Sequence, residues 1–185
     1  GAMQFALGQE HTCVALSDRS VRCWGRNDEG QLGTGTMSSA PVLRPVVVPT
    51  MTNTSYLQAG RHHTYGRTEA GTIALWGENA GALGDGATAP RSTPYTLPGI
   101  SGIGIGRSIA AAPLRGCVVA PLARLSCWGA SAFGQLGDGT TDTRLSPVEV
   151  RDIAVTRVAT GPVHTCAILS DRTMRCWGRN ANGQL

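Results

Sequence analysis

The sequence predicts an all-β protein, a β-propeller of four-stranded antiparallel blades, with about three and a half blades in this chain. The first observation is a repeated motif, in which Trp-Gly is followed after a short polar stretch by Gly-x-Leu. The tryptophans of the chain all lie in copies of this motif, at Trp24, Trp76, Trp128 and Trp177. The second is composition, since 25 glycines, 10 prolines and 15% charged residues favour short strands joined by tight turns over helices. The third is that each period of about 50 residues holds four β-prone runs, the number found in one propeller blade.

Two of the four runs flank a polar turn and predict a β-hairpin. In the first copy these runs are residues 8–16 and 21–24, and the turn between them is Ser-Asp-Arg-Ser. The hairpin returns three times, and the four copies open at Gly8, Gly60, Ala112 and Gly161. The last copy nearly repeats the first, whereas the third has lost both the His and the Thr of the motif Gly-x-x-His-Thr.

The other two runs come from the segment that links one hairpin to the next. Each linker passes through a run led by proline, at residues 45–48, 94–97 and 147–150, and ends in a second run, at residues 57–59, 109–111 and 158–160. Proline lacks a backbone N–H for a sheet ladder, so we expect it at the start of its strand. The middle linker also carries a glycine-rich insertion at residues 101–106, which predicts a longer loop. A parallel solenoid is the alternative fold, but its repeats are shorter and lack the paired hairpin strands.

The repeats divide the chain into parts of one propeller domain that is incomplete. Residues 1–3 look like a remnant of an expression vector, the hairpin of the first repeat follows at 4–35, and the later repeats are 36–86, 87–139 and a truncated 140–185. Part of a propeller exposes unpaired sheet edges, which promote aggregation. We therefore expect either that further chain closes the propeller or that copies of the chain self-associate into a closed ring.

The cysteines form three pairs with one spacing, and each pair is centred on a hairpin turn. The pairs are Cys13 and Cys23, Cys117 and Cys127, and Cys166 and Cys176. Antiparallel pairing places the two members opposite each other, with Cβ atoms about 4.5–5.5 Å apart, and the closest such pairs are within reach of a disulfide. In the second repeat both positions change together, to Tyr65 and Leu75, as expected for a bonded pair. Buried free thiols are the alternative, and metal binding is less favoured because no Cys-x-x-Cys occurs.

Three motifs recur in the repeats: Gly-x-x-His-Thr-Cys, Cys-Trp-Gly-x-Asn-x-x-Gly-Gln-Leu-Gly-x-Gly, and the Pro-Val-x-Val run of the linkers. A repeat with these motifs resembles that of the regulator of chromosome condensation, and the resemblance covers essentially the whole chain. The cysteine-containing version is similar to the bacterial, exported branch of that family. The resemblance implies a β-propeller, commonly of seven blades. It does not fix the function, because related blades carry nucleotide exchange, enzyme inhibition and receptor ectodomains.

Three histidines share one position of the repeat: His11, His63 and His164. Because they recur once per blade, we expect them to hydrogen-bond a neighbouring turn rather than to form a ring of metal ligands or bases. The third repeat has Arg115 at this position, and His62 is an additional histidine that we expect at the surface. The glycines after the tryptophans are expected to supply positive φ or close backbone approach. Asp85 and Asp138 are expected to be turn residues rather than calcium ligands, and no catalytic, cofactor or metal site is predicted.

Charge and hydropathy exclude some classes of partner. The 16 basic residues are all arginine, and with 12 acidic residues the net charge is only +4. The arginines are scattered rather than clustered, so no nucleic-acid partner is predicted. The sequence has no apolar run long enough for a membrane span. Disulfides persist in oxidising compartments, so the protein is predicted to be secreted or periplasmic.

The sequence favours a non-enzymatic extracellular module that binds a protein or acts as a scaffold, since loops on a rigid frame carry recognition residues. Four arginines in the turns and after Trp-Gly are the candidate contacts with an acidic protein or glycan: Arg19, Arg26, Arg172 and Arg179. The candidate contact loops are residues 36–44, 87–92, 140–146 and the glycine-rich insertion. The alternative is a regulator of an enzyme. It would be an inhibitor of a secreted hydrolase such as a β-lactamase or a nucleotide-exchange factor for a small GTPase, and the predicted secreted or periplasmic location favours the first.

Overall fold

The structure is a computed structural model that describes residues 1–104 and 109–185. The chain separates into two compact units, the first formed by Gly1–Ala80 with Thr88–Ser101 and the second by Gly81–Ala87 with Gly102–Leu185. The described residues form fifteen β-strands and one short 3-10 turn at Pro121–Ala123, so the predicted all-β class is confirmed.

The first unit contains two four-stranded antiparallel sheets, each built from consecutive strands. Blade 1 consists of β1 (Ala2–Leu7), β2 (His11–Leu16), β3 (Val21–Asn27) and β4 (Ser38–Val47), in that order across the sheet. Blade 2 consists of β5 (Thr54–Ala59), β6 (His63–Thr68), β7 (Ile73–Gly77) and β8 (Arg91–Thr96). Each blade therefore places one hairpin between two linker strands, as the sequence predicts.

The second unit repeats this arrangement with one strand fewer. Blade 3 consists of β9 (Ile109–Ala112), β10 (Arg115–Val119), β11 (Leu125–Gly129) and β12 (Arg144–Val150). Blade 4 has three strands, β13 (Val155–Thr160), β14 (His164–Leu169) and β15 (Met174–Gly178). Three complete sheets and one three-stranded sheet agree with the prediction of about three and a half blades. Of the predicted insertion loop, residues 101–104 have no regular structure, and residues 105 and 106 lie outside the described part of the chain.

An aspartate closes the hairpin turn of blades 1 and 4. Asp18 accepts hydrogen bonds from the backbone N–H and the hydroxyl of Ser20, at 3.0 and 2.7 Å. Asp171 accepts the same two bonds from Thr173, at 2.9 and 2.7 Å. These bonds hold the pKa of both aspartates below its usual range. The turn fixes which residues of the two strands face each other, and with them the register of the hairpin.

The linker prolines lie inside the outer strands, so the prediction that they start those strands is wrong. Pro147 stands within β12, where the ladder to β11 is irregular between Cys127 and Gly129. Pro45 and Pro94 stand within β4 and β8 in the same way. An outer strand tolerates proline there because it pairs on one side only and the missing N–H falls in a break of the ladder.

A disulfide links the two hairpin strands in blades 1, 3 and 4. The bonded pairs are Cys13–Cys23, Cys117–Cys127 and Cys166–Cys176, each with Cα atoms 4.1 Å apart. The two members of each pair face each other directly in the strand register. In blade 2 the same place is taken by Tyr65 opposite Leu75, and both side chains are fully buried. An apolar pair thus fills the position of the covalent bond in that blade.

Candidate binding surface

The Gly-x-x-His motif forms the turn between the first and second strands of a blade. Its glycine N–H donates to the histidine carbonyl, and the pairs are Gly8 and His11, Gly60 and His63, and Gly161 and His164. The imidazole folds back over the glycine: a Cβ on Gly60 would have three ring atoms of His63 within 3.0 Å. None of the three glycines has a positive φ. Glycine is therefore required here because the imidazole ring occupies the space of a Cβ atom, not because of the backbone conformation. In blade 3, where Arg115 replaces the histidine, Ala112 replaces the glycine.

Two of the three repeated histidines, His11 and His63, are buried packing residues, whereas His164 is half-buried. In the first unit, His11 Nε2 is hydrogen-bonded to the hydroxyl of Thr64 in blade 2, at 2.9 Å. Burial lowers the pKa of His11 to about 4 and that of His63 to about 3, so both rings are neutral at physiological pH. Within the described ranges, no group of three or more His, Cys, Asp or Glu side chains is placed to hold a metal ion. The prediction that His62 lies at the surface is wrong, since only 6% of it is exposed.

Each tryptophan after the first is held by the Gly-x-Leu-Gly loop of the preceding blade. Trp76 Nε1 donates to the carbonyl of Gln31 at 2.9 Å, and a Cβ on Gly33 would lie 2.8 Å from that nitrogen. The equivalent bonds run from Trp128 to Ala82 at 2.7 Å and from Trp177 to Gln135 at 3.1 Å. Gly33 also has a φ of 68°, so both expected reasons for glycine apply at this position. The repeated motif therefore joins consecutive blades within each unit.

Other repeat side chains bond to the same loop carbonyls. The hydroxyl of Thr64 donates to the carbonyl of Gln31 at 3.2 Å, and Thr165 donates to that of Gln135 at 2.7 Å. Arg115 is fully buried, and its guanidinium donates to the carbonyl of Gln135 at 3.1 Å and to two carbonyls of the Gly161–His164 turn. This arginine thus connects blade 3 to blade 4 from the position that histidine holds in the other blades.

The four candidate arginines do not share one surface. Arg19 and Arg172 lie in hairpin turns. Arg26 and Arg179 lie at the opposite ends of the same two hairpins. Six strand residues separate the two ends, which corresponds to roughly 20 Å. A single ligand group cannot contact both arginines of one hairpin.

In the first unit the two candidate arginines, Arg19 and Arg26, are neutralised by carboxylates. Arg26 donates to Glu10 and, through two N–H groups, to Asp28. These bonds lower the pKa of Asp28 to about 2, lower that of Glu10 and raise that of Arg26. His62 lies beside this cluster, with Nε2 3.7 Å from Glu10 and Nδ1 3.6 Å from Glu78. Arg19 likewise forms an ion pair with Glu69.

The two candidate arginines of the second unit, Arg172 and Arg179, are more open to a partner. Arg172 is exposed, and the structure describes no ion pair for it. The guanidinium carbon of Arg179 lies 5.1 Å from the centre of the Phe133 ring, and both side chains are exposed. Arg172 and Arg179 are therefore the members of the predicted set that remain available to an acidic group.

Two of the predicted contact loops remain loops and one does not. Residues 87–90 and 140–143 connect strands without regular structure, whereas residues 38–44 of the first predicted loop belong to β4. Asp138 shapes the second loop, because it accepts from the N–H of Thr140 at 3.1 Å and from Nε of Arg144 at 2.7 Å. Asp85 accepts from the N–H of Ala87 at 3.1 Å. Both aspartates therefore act within their own turns.

A groove of about 860 Å³ lies beside β15, in the truncated repeat, where the sequence predicts an unpaired sheet edge. Its walls come from β15, from the loop before β12 and from the chain after β12, and include Arg175, Trp177, Gly139, Asp142, Arg151 and Ile153. In blades 1, 2 and 3 a fourth strand occupies the equivalent place.

Two models of the Regulator of chromosome condensation (RCC1) repeat match the chain, one at residues 4–31 and 155–184 and the other at residues 20–66 and 124–168. The chain belongs to the RCC1 repeat family. The X-linked retinitis pigmentosa GTPase regulator of Canis lupus familiaris is 30% identical to this RCC1-repeat chain over 135 residues, which cover 71% of this chain and 13% of that protein. The ultraviolet-B receptor UVR8 of Arabidopsis thaliana is 31% identical over 146 residues, which cover 78% of this chain and 33% of the receptor. The chain thus spans about a third or less of the length of these relatives.

Solved structures of RCC1-type propellers share the fold. Yeast RCC1 (Prp20), in its complex with Kap60, has a TM-score of 0.83 at 21% identity over 97% of this chain and 44% of its own. Human WBSCR16 has a TM-score of 0.84 at 21% identity over 96% of this chain and 47% of its own. These similarities confirm the predicted β-propeller fold. In the part of the chain that the structure describes, no helix is long and apolar enough to cross a membrane.

Proposed function

We propose that this RCC1-repeat chain is a non-enzymatic, exported protein-binding module, a rigid frame whose loops contact another protein. The observation that carries the proposal is the use of the repeat's polar side chains between blades, as in the bonds of Thr64 and Trp76 to Gln31. The side chains left for recognition are those of the blade-end loops and of exposed arginines such as Arg172. Loops held by a rigid scaffold are where binding residues concentrate.

Export is supported by the three disulfides, because such bonds persist in oxidising compartments and are rare where thiols are kept reduced. Mass spectrometry of the protein taken from its own cell tests this part of the proposal. We expect alkylation of the six cysteines only after reduction. Six freely alkylated thiols in the freshly isolated protein would contradict export.

Crosslinking from a loop tests the binding role. Ala89 lies exposed in the loop at residues 87–90, and Ala40 is an equally exposed alanine on β4. We expect benzoylphenylalanine at position 89 to capture a protein from the medium or the periplasm, and the same group at position 40 to capture none. Equal capture from both positions, or no capture from position 89, would refute binding through this loop.

A second candidate function is the regulation of an enzyme, which the GTPase regulator among the relatives favours. Inhibition of a secreted hydrolase such as a β-lactamase agrees better with export than nucleotide exchange on a small GTPase does. The measurements are hydrolase activity and nucleotide release from small GTPases, each titrated with the chain. Stoichiometric inhibition or accelerated release would assign the chain to this class.

A further inference from the structure

Two repeat positions that are acidic in blade 1 carry large apolar side chains in blade 3. Leu114 takes the position of Glu10 in the turn between the first two strands, and it is 39% exposed. Phe133 takes the position of Glu29 in the loop after Trp-Gly, and it is 46% exposed. The turn and the loop lie at the same end of their blade. The second unit therefore presents apolar side chains where the first unit presents carboxylates.

The exposure of Phe133 belongs to its position in the repeat. Its equivalent Glu29 is only half-buried although the neighbouring blade 2 has all four of its strands. The loop around Phe133 is held by two bonds within it. The N–H of Phe133 donates to Oε1 of Gln135, and the N–H of Gly134 donates to the carbonyl of Ser131, both at 2.8 Å. A fixed loop thus presents the ring to a partner at little cost in entropy.

Arg115 joins the segments that carry these side chains. It follows Leu114 in the chain and is fully buried. Its guanidinium donates to the carbonyl of Gln135 in the loop of blade 3 and to two carbonyls of the turn at residues 161–164 in blade 4. Val163 in that turn is the half-buried equivalent of Leu114. We call the surface at this end of the second unit the apolar end; its apolar side chains are Leu114, Phe133 and Val163.

Arg179 supplies a positive charge at the apolar end. Its guanidinium carbon lies 5.1 Å from the centre of the Phe133 ring, and its N–H donates to the carbonyl of Val163 at 2.9 Å. The equivalent arginine of blade 1 bonds to two carboxylates of its own blade. Blade 4 has Val163 and Ala181 at those two positions, and the structure describes no ion pair for Arg179. The substitutions within blade 4 therefore leave this charge available to a carboxylate from outside.

We propose that the apolar end binds a segment of a partner protein in which an aromatic or aliphatic side chain stands within two residues of an aspartate or glutamate. The apolar side chain covers Phe133 and Leu114, and the carboxylate accepts from Arg179. The short spacing follows from the 5.1 Å between the guanidinium and the ring, since neighbouring Cα atoms lie about 3.8 Å apart. Exposed apolar clusters mark interaction sites, and aromatic residues and arginine are enriched in protein interfaces. This inference rests on the proposed function as a binding module and names the chemistry of the partner.

The test is selection of peptides from a random library displayed on phage, with the whole chain as bait, followed by titration of the ¹⁵N-labelled chain with the selected peptide. We expect a pattern of one apolar residue beside an acidic one, and saturable shifts of the Leu114, Phe133 and Arg179 amides. Leu114→Glu and Phe133→Glu should each weaken binding roughly tenfold, as for loss of one buried apolar side chain. Arg179→Glu should weaken it about fivefold and should select lysine or arginine in place of the acidic residue. Each variant has glutamate where blade 1 or blade 2 already has it, so the fold is kept.

Leu122→Glu is the matched control, because Leu122 is an exposed leucine in the hairpin turn at the opposite end of blade 3. It should leave peptide binding unchanged. The proposal is overturned if no apolar and acidic pattern is selected, if the shifts lie elsewhere, or if the control loses as much affinity as Leu114→Glu. Sedimentation that shows a dimer, abolished by Phe133→Glu, would also overturn it, since a second copy would then be the occupant. Capture from position 89 without a selected pattern removes this inference alone, whereas failure of both experiments removes the proposed function.

Discussion

Adding one methyl group at Gly60 tests whether the Gly-x-x-His turn is a packed unit. The new Cβ would lie 3.0 Å or less from three ring atoms of His63, well inside the roughly 3.5–4.0 Å at which carbon atoms make favourable contact. His63 is fully buried, so its ring has no free space to enter and the turn has to move. We expect Gly60→Ala to lower the free energy of unfolding by about 1–3 kcal/mol, the usual cost of overpacking.

The sign of this effect identifies its cause. Gly60 does not have a positive φ, and at such positions Gly→Ala ordinarily stabilises a protein by about 0.4–1 kcal/mol through the unfolded state. A loss of stability therefore reports the overlap with the imidazole ring. In a His63→Ala background the ring is absent, and we expect Gly60→Ala to be neutral or stabilising there, a non-additivity of at least about 1 kcal/mol.

Urea unfolding followed by tryptophan fluorescence measures all four members of this cycle. Ala112→Gly in blade 3 is the control, since no histidine covers that position, and it should cost only the roughly 0.5–1 kcal/mol that glycine adds in flexibility. The reasoning is refuted if Gly60→Ala is harmless in the unchanged chain, or if it costs the same with and without His63.

Acidification should destabilise the protein through His63. The pKa of His63 is about 3 in the folded chain and near 6.5 in the unfolded chain. Below pH 6.5 the unfolded chain therefore takes up a proton that the folded chain does not. Between pH 7.5 and pH 5 we expect His63 to contribute a loss of about 2 kcal/mol, and His11, with its pKa of about 4, a similar loss, so His63→Gln should remove about half of the total in urea titrations at the two pH values. Replacing Cys13 and Cys23 by serine should lower the free energy of unfolding by about 2–3 kcal/mol without reductant, and an unchanged urea midpoint would show that the bond adds nothing. Trp76→Phe should cost about 1 kcal/mol in thermal unfolding, because the ring still packs but the carbonyl of Gln31 loses one donor.

The strand pattern of this chain could be predicted because it occurs in four copies of the repeat. The cysteine pairs predicted the hairpin register, since only residues centred on the turn can face each other. The coupled change to Tyr65 and Leu75 pointed to the same register, and the two side chains do face each other in blade 2. The outer linker strands were predicted, but their predicted lengths were too short because proline was expected at the start of each strand. An outer strand with an irregular ladder tolerates proline in its interior.

The surface could not be predicted because its charges are paired by residues distant in sequence. Arg26 looked available beside its tryptophan, but the antiparallel pairing of β2 and β3 brings Glu10 to it. Arg19 meets Glu69 of the next blade. His62 is buried and lies close to Glu10 and Glu78, and no local sequence pattern indicates either fact. Repeat motifs therefore reveal what joins blades, and only the fold reveals which charges remain free.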